Sequence, residues 1–110
     1  MFDKNFFNKM NKNAVFINVG RGNSVNEDDI VEALENNIIR GAVLDVTKNE
    51  PLNKDSKLYN ISPSKLLITN HSFSNVPEHF KNGLDCFTKN LKSFLETGMP
   101  INIVDKIRQY

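Results

Sequence analysis

Ala14-Val15-Phe16-Ile17-Asn18-Val19-Gly20-Arg21-Gly22 is the stretch whose reading decides the fold. Ala14 to Ile17 is a continuous apolar run with β-branched and aromatic members, too short for a helix and bounded by Asn13 and by glycines. Such a run predicts a strand buried on both faces, the pattern of a parallel sheet covered by helices. Gly20, Arg21 and Gly22 follow at once. In open α/β sheets ligands bind beyond the carboxyl ends of the strands, which makes Arg21 a candidate site residue. Its flanking glycines allow a sharp turn and close approach of the backbone to a ligand. The same residues also read as a surface arginine in a glycine turn, and the stretch alone does not choose between the two.

Working outward, two more apolar runs share this design. Gly41-Ala42-Val43-Leu44-Asp45-Val46 predicts a second strand with one acid near its carboxyl end. A carboxylate inside such a run is costly without a partner, so Asp45 is a second candidate. Glu50-Pro51 follows after a short polar loop, and Glu50 by itself reads as a surface loop residue. Beyond a polar loop over residues 52–64, Lys65-Leu66-Leu67-Ile68-Thr69 predicts a third strand that ends in Asn70-His71-Ser72. A lone histidine is more often structural than catalytic. His71, however, is the ionisable group at the third strand end in a row.

Helices are predicted between and around the strands. Asp3 is placed to cap a short first helix with Phe6, Phe7 and Met10 on one face. Asn26 is a good cap for the next, and Glu27, Asp28 and Asp29 suit the positive end of its dipole rather than a metal. Ile30, Val31, Ala33, Leu34 and Ile38 form its apolar stripe, and Gly41 is expected to close it. Pro77 opens a long helix in which Phe80, Leu84, Phe87, Leu91 and Leu95 recur at amphipathic spacing until Gly98 and Pro100. Cys86 lies beside that stripe and is expected to be at least half-buried, while His79 is expected to face solvent. Ile101 to Val104 reads as a short strand or extended arm before a charged end that runs to Tyr110.

Composition bounds the function classes. The chain has 110 residues, 39% hydrophobic and 25% charged, with a formal net charge of +1. That is a small globular α/β domain with no electrostatic support for nucleic-acid binding. One cysteine excludes an internal disulfide framework. No apolar stretch has the length of a membrane span and the amino terminus lacks a signal-peptide pattern, so a cytoplasmic protein without membrane partners is expected.

Taken together, Ile17-Asn18-Val19-Gly20-Arg21-Gly22, Gly41-Ala42-Val43-Leu44-Asp45-Val46, Asn49-Glu50-Pro51-Leu52 and Ile68-Thr69-Asn70-His71 resemble the second half of the cofactor domain of the D-isomer-specific 2-hydroxyacid dehydrogenases. Asn90-Leu91-Lys92 and Gly98-Met99-Pro100 are similar to that family's closing helix and exit. The resemblance covers essentially the whole chain and implies a partial, Rossmann-like, doubly wound parallel sheet over residues 1–110. It implies an oxidoreductase that moves a hydride between NAD or NADP and a 2-hydroxy or 2-keto acid. Arg21, Glu50 and His71 would then be catalytic: the arginine on the substrate carboxylate, the histidine as acid–base, the glutamate as its carboxylate partner. Val19, Gly20, Asp45, Ser72, Phe73 and Ser74, with Arg21 and His71, would line the nicotinamide side. Asp45 would meet the carboxamide, and no metal is implied.

The chain departs from the family pattern in three places. Asn70 stands where the family usually has proline, and Ser72-Phe73-Ser74 where it prefers small residues and glycine. A phenylalanine there is expected to crowd or reshape the nicotinamide pocket. There is also no glycine-rich turn for a pyrophosphate, which needs close backbone approach at a helix N-terminus. The expectation is therefore the carboxyl-terminal third of an enzyme, with a missing amino-terminal portion or a second copy as partner. A competing reading is a catalytically inactive remnant or interaction module that keeps the fold. Intact Arg21, Glu50 and His71 favour the enzyme, and the absent glycine turn favours present inactivity.

Overall fold

A computed structural model describes residues 1–108. In chain order the elements are α1 (Lys4–Phe7), β1 (Val15–Asn18), α2 (Glu27–Glu35), β2 (Gly41–Leu44), β3 (Leu66–Ile68) and α3 (Pro77–Thr97), with single 3-10 turns at Gly22–Ser24 and Lys57–Asn60. The chain divides into two compact units, Met1–Phe73 and a second from Ser74 onward.

The first unit is a three-stranded parallel sheet in the order β1-β2-β3. Asn18 pairs with Leu44 and Leu44 with Ile68, so the three carboxyl ends lie side by side. Phe16, Ala42, Leu44 and Leu66 point to one face and pack with Phe7, Ile30, Val31 and Leu34 in a single core. Side chains alternate across a strand, and the opposite face carries Val15, Ile17 and Leu67. Those three are exposed, Ile17 to 61%. The expectation of strands buried on both faces is therefore not met within this unit, because α1 and α2 both belong to the core on one side.

The local signals for the helices act as their chemistry requires. Asp3 accepts a hydrogen bond from the Phe6 N–H at 3.0 Å, and Asn26 accepts from the N–H groups of Asp28 and Asp29 at 3.1 and 3.3 Å. α2 is shorter than its apolar stripe suggests. It ends at Glu35, and Asn37 takes the left-handed turn at φ 54°, a conformation asparagine tolerates better than most residues. Gly41 does not close the helix but opens β2, where a Cβ would lie 2.9 Å from the Lys65 carbonyl oxygen of β3. Residues 52–64 are more ordered than a polar loop implies: Leu58 and Ile61 enter the core around the second 3-10 turn.

In the second unit α3 runs for 21 residues from Pro77 to a left-handed Gly98 at φ 77°. None of its residues is buried, and Cys86 is exposed rather than half-buried. The apolar stripe beside it, Phe80, Leu84, Phe87, Leu91 and Leu95, is itself exposed, so nothing among the described residues covers the thiol. His79 is exposed as expected. Residues 101–104 form no strand, with bends at 101 and 102 only, and the last two residues of the predicted charged end lie outside the described residues.

Candidate active site

Each strand of the sheet hands its chain to a short segment that carries one or more of the candidates. After β1, Asn18 is buried although it stands in an apolar run. Its side-chain oxygen accepts from the Gly20 N–H at 3.1 Å and its Nδ2 donates to the Arg21 carbonyl at 3.1 Å. One amide thus satisfies both backbone groups of the glycine turn and fixes where Arg21 starts. Arg21 is exposed, and its Nη1 donates to the Gly20 carbonyl at 2.7 Å. Gly22 is required by space: a Cβ would lie 2.0 Å from the Thr47 carbonyl oxygen, so the segments after β1 and β2 touch backbone to backbone.

Asp45 follows β2 directly. It is 4% exposed, and its own N–H donates to the Asn18 carbonyl at 2.9 Å. Its carboxylate accepts from the Thr69 hydroxyl, from the Ser72 N–H at 3.0 Å and from the Phe73 N–H at 2.9 Å. These bonds, the hydroxyl first, hold the carboxyl below its ordinary range against the opposing effect of burial. Hydrogen bonding to the charged form favours that form, so Asp45 is anionic.

Glu50 precedes Pro51 through a cis peptide. Its Oε2 lies 2.8 Å from His71 Nδ1, and its Oε1 accepts from the Thr47 N–H at 3.2 Å. The bond to His71 and then the Thr47 N–H lower its pKa, and the charges of His71 and Arg21 act in the same direction. His71 is a non-glycine residue in the left-handed region, φ 56°. Such a conformation costs about 1–3 kcal/mol and persists where the surroundings over-determine it.

Arg21, Asp45, Glu50, His71, Ser72 and Phe73 therefore gather at the carboxyl end of one sheet, with Val19 and Gly20 in the turn after β1. Ser74 belongs to the second unit, and the grouping is confined to the first. Sequence reading missed Asn18, Thr47 and Thr69. Asn18 carried a signal, a polar residue inside an apolar strand; the two threonines, ordinary residues at strand ends, carried none. A groove of about 570 Å³ lies elsewhere, lined by Asn26, Val31, Leu52, Lys57 and Leu58 among others, and it contains none of the candidates. Among the described residues no cluster has a metal-ligand set, and no helix is long and apolar enough to cross a membrane.

Chemically the arrangement offers an anion-binding guanidinium, and an imidazole whose Nδ1 is tied to a carboxylate while Nε2 has no partner among the described residues. Nothing in it cradles a diphosphate.

Comparison with known proteins bears on this arrangement. A family model described as D-isomer specific 2-hydroxyacid dehydrogenase, NAD binding domain, matches residues 1–72. A probable 2-ketogluconate reductase of Dictyostelium discoideum is 40% identical over 99 residues, covering 90% of this chain and 29% of the relative. Glyoxylate/hydroxypyruvate reductase B of Salmonella paratyphi B is 36% identical over 105 residues, covering 96% of this chain and 32% of the relative. Among solved structures, a D-isomer specific 2-hydroxyacid dehydrogenase from Xanthobacter autotrophicus, crystallised with NADPH and MES, aligns with a TM-score of 0.81 at 31% identity. It covers 99% of this chain and 34% of that one. The chain thus spans about a third of the length of the proteins it matches.

Proposed function

Because this chain belongs to the NAD-binding domain of the D-isomer specific 2-hydroxyacid dehydrogenases, we propose that it supplies the catalytic end of a nicotinamide-dependent reductase of small 2-keto acids. The relatives at 36 to 40% identity are reductases of glyoxylate and hydroxypyruvate or of 2-ketogluconate, which supports a short polar 2-keto acid as substrate. The observation that carries the reading is the Glu50–His71 pair at 2.8 Å, with the second Glu50 oxygen on the Thr47 N–H.

When bound, the cofactor supplies or accepts the hydride. Arg21 binds the substrate carboxylate through the guanidinium edge not engaged with Gly20, in paired charge-assisted hydrogen bonds. His71, held by Glu50 with its proton on Nδ1, presents Nε2 to the oxygen on C2 of the substrate. In reduction the Nε2 proton passes to that oxygen and leaves a hydroxyl; in oxidation the proton returns to Nε2. Glu50 stays ionised throughout and stabilises the protonated ring.

The residues fit the nicotinamide end of NAD or NADP. A carboxylate has about four acceptor positions, and Asp45 has three of them filled, which leaves one for an amide N–H. Val19 and Phe73 offer exposed apolar surface in the turns after β1 and β3. They do not fit the pyrophosphate, since the five glycines of the chain form no cradle. The proposed activity therefore needs the remaining two-thirds of the family's length.

The test is a chimera in which the 105 aligned residues of this chain replace the matching span of the Salmonella paratyphi B reductase. Consumption of NADPH with glyoxylate or hydroxypyruvate, lost in Arg21→Gln and in His71→Asn, is the expected outcome. A folded chimera that binds NADPH and reduces neither acid overturns the proposal.

A further inference from the structure

We propose that Asp45 is the positioning residue for His71. By accepting the Thr69 hydroxyl and the N–H groups of Ser72 and Phe73, it holds the turn in which His71 adopts a left-handed backbone, and so aims Nδ1 at Glu50. The inference rests on the reading of His71 as the acid–base group and gives Asp45 a role separate from any contact with cofactor.

Three observations carry it. First, the base of the Asp45 side chain is fixed. The residue continues the central strand, its N–H is bonded to the Asn18 carbonyl, and the Thr69 N–H donates to the Leu44 carbonyl at 3.0 Å. A buried carboxylate on such a base is a rigid acceptor, and its 4% exposure leaves water little part in satisfying it.

Second, the bonds bracket the histidine. Thr69 lies two residues before it, and Ser72 and Phe73 are the two residues after it. Both carboxylate oxygens are used, Oδ1 for Thr69 and Ser72 and Oδ2 for Phe73. A carboxylate is the one side chain of this size that accepts on both arms without presenting a donor.

Third, His71 sits at φ 56°. A β-carbon disfavours that conformation, and an unrestrained turn would leave it. Leaving it swings the imidazole off its line to Glu50. The Asp45 bonds supply the restraint on both sides of the strained residue, so the strain at His71 and the three bonds to Asp45 belong to one device.

The prediction is read from the tautomer of His71 in the 110-residue chain, by nitrogen-15 NMR of the imidazole at alkaline pH. In the native chain the proton is expected on Nδ1, shared with Glu50. Asp45→Asn places an amide N–H against the Phe73 N–H, and the Nδ1–H to Nε2–H ratio is expected to invert towards that of a free histidine. Thr69→Val should move the ratio the same way by less, and Thr69→Ser, which keeps the hydroxyl, should restore it. Methyl signals of Ile30, Leu34 and Leu58 report whether the core stays native.

A native core with the Nδ1–H tautomer unchanged in Asp45→Asn overturns the proposal. If Asp45→Asn unfolds, an unchanged tautomer in folded Thr69→Val overturns it equally. Turnover is not used as the readout. An inactive reductase chimera with an inverted tautomer removes the acid–base role and keeps the clamp, and an active chimera with an unmoved tautomer removes the clamp alone.

Discussion

At the scale of single residues, the tightest constraint is Gly22, whose missing Cβ leaves room for the Thr47 carbonyl. Gly22→Ala would put a carbon 2.0 Å from that oxygen and 2.1 Å from its carbon. Neither segment can yield without moving a strand end. We expect a loss of about 3 kcal/mol, at the upper end for overpacking, read as a lower urea midpoint, whereas Gly20→Ala, with its nearest atom at 3.6 Å, should be close to neutral in space. The two acids beside the site make a pH prediction. A carboxyl whose folded pKa lies below its unfolded one stabilises the fold above the unfolded value and loses that contribution as pH falls through the folded value. Asp45 and Glu50 are both held below their ordinary 3.8 and 4.5. Their contribution should therefore be complete above those values and disappear below them. Urea midpoints at stepped acid pH should fall steeply there in the native chain and less steeply in Asp45→Asn. Arg21, Asp45 and His71 stood out as candidates because each is a charged or ionisable group at or just past the end of an apolar run, whereas Glu50, set in a polar loop, was singled out only by the family resemblance. Their geometry was not legible in the sequence. The left-handed His71 and the Thr47 N–H on Glu50 depend on backbone groups that no residue type announces, and the Thr69 hydroxyl on Asp45 comes from an ordinary residue at a strand end.

At the scale of elements, α1 shows how little of a short helix is local. Four residues with one side-chain cap do not hold a helix in water. Phe2, Phe6, Phe7 and Phe16 meet in edge-to-face pairs with ring centroids 4.6 to 6.2 Å apart, and this cluster docks α1 against β1. Phe7 is fully buried while Phe6 is 38% exposed. Phe7→Ala is expected to cost about 3–5 kcal/mol, comparable to the whole stability of a core this small. Phe6→Ala should cost markedly less, and comparing the two in urea tests whether α1 is held by its buried ring. The apolar patterns located α1, α2, α3 and the three strands, but not the 3-10 turns at Gly22–Ser24 and Lys57–Asn60, whose signals are local. Boundaries escaped where a competing contact ended an element early. Lys65 Nζ donates to the Leu34 carbonyl at 2.8 Å, satisfying the end of α2 before its apolar stripe runs out, and Asn37 completes the stop. The open face of the sheet also escaped, since a run such as Ala14–Ile17 does not say how many helices come to cover it.

For the molecule as a whole, the two units are unequally furnished. All the buried apolar residues of the core lie between Phe7 and Leu66, inside the first unit, and α3 has none. Residues 1–73 expressed alone should therefore keep the sheet and α2, with a cooperative though weak urea transition; an unfolded product would contradict that. The surfaces left by this arrangement argue for association. Val15, Ile17 and Leu67 are exposed on one sheet face, and Phe80, Phe87 and Leu95 on α3 are exposed by 62 to 79%. Among the described residues the outer edges of β1 and β3 are unpaired, and unpaired apolar edges are templates for pairing. A net charge of +1 gives little repulsion to oppose it. Sedimentation velocity should show weight-average mass rising with concentration into the range of about 100 μM, where partly covered apolar surfaces associate. Raising salt should not reverse the rise, because the contacts are apolar rather than ionic. Ile17→Lys together with Leu67→Lys should lower the association without lowering the urea midpoint, as both side chains are more than half exposed and surface changes of that kind are usually within about 0.5 kcal/mol. A monodisperse monomer across the whole range would show that these faces do not attract one another. Unchanged association in the double variant, with the fold intact, would move the contact away from the sheet face and onto α3, where Phe80→Lys and Phe87→Lys are the corresponding changes.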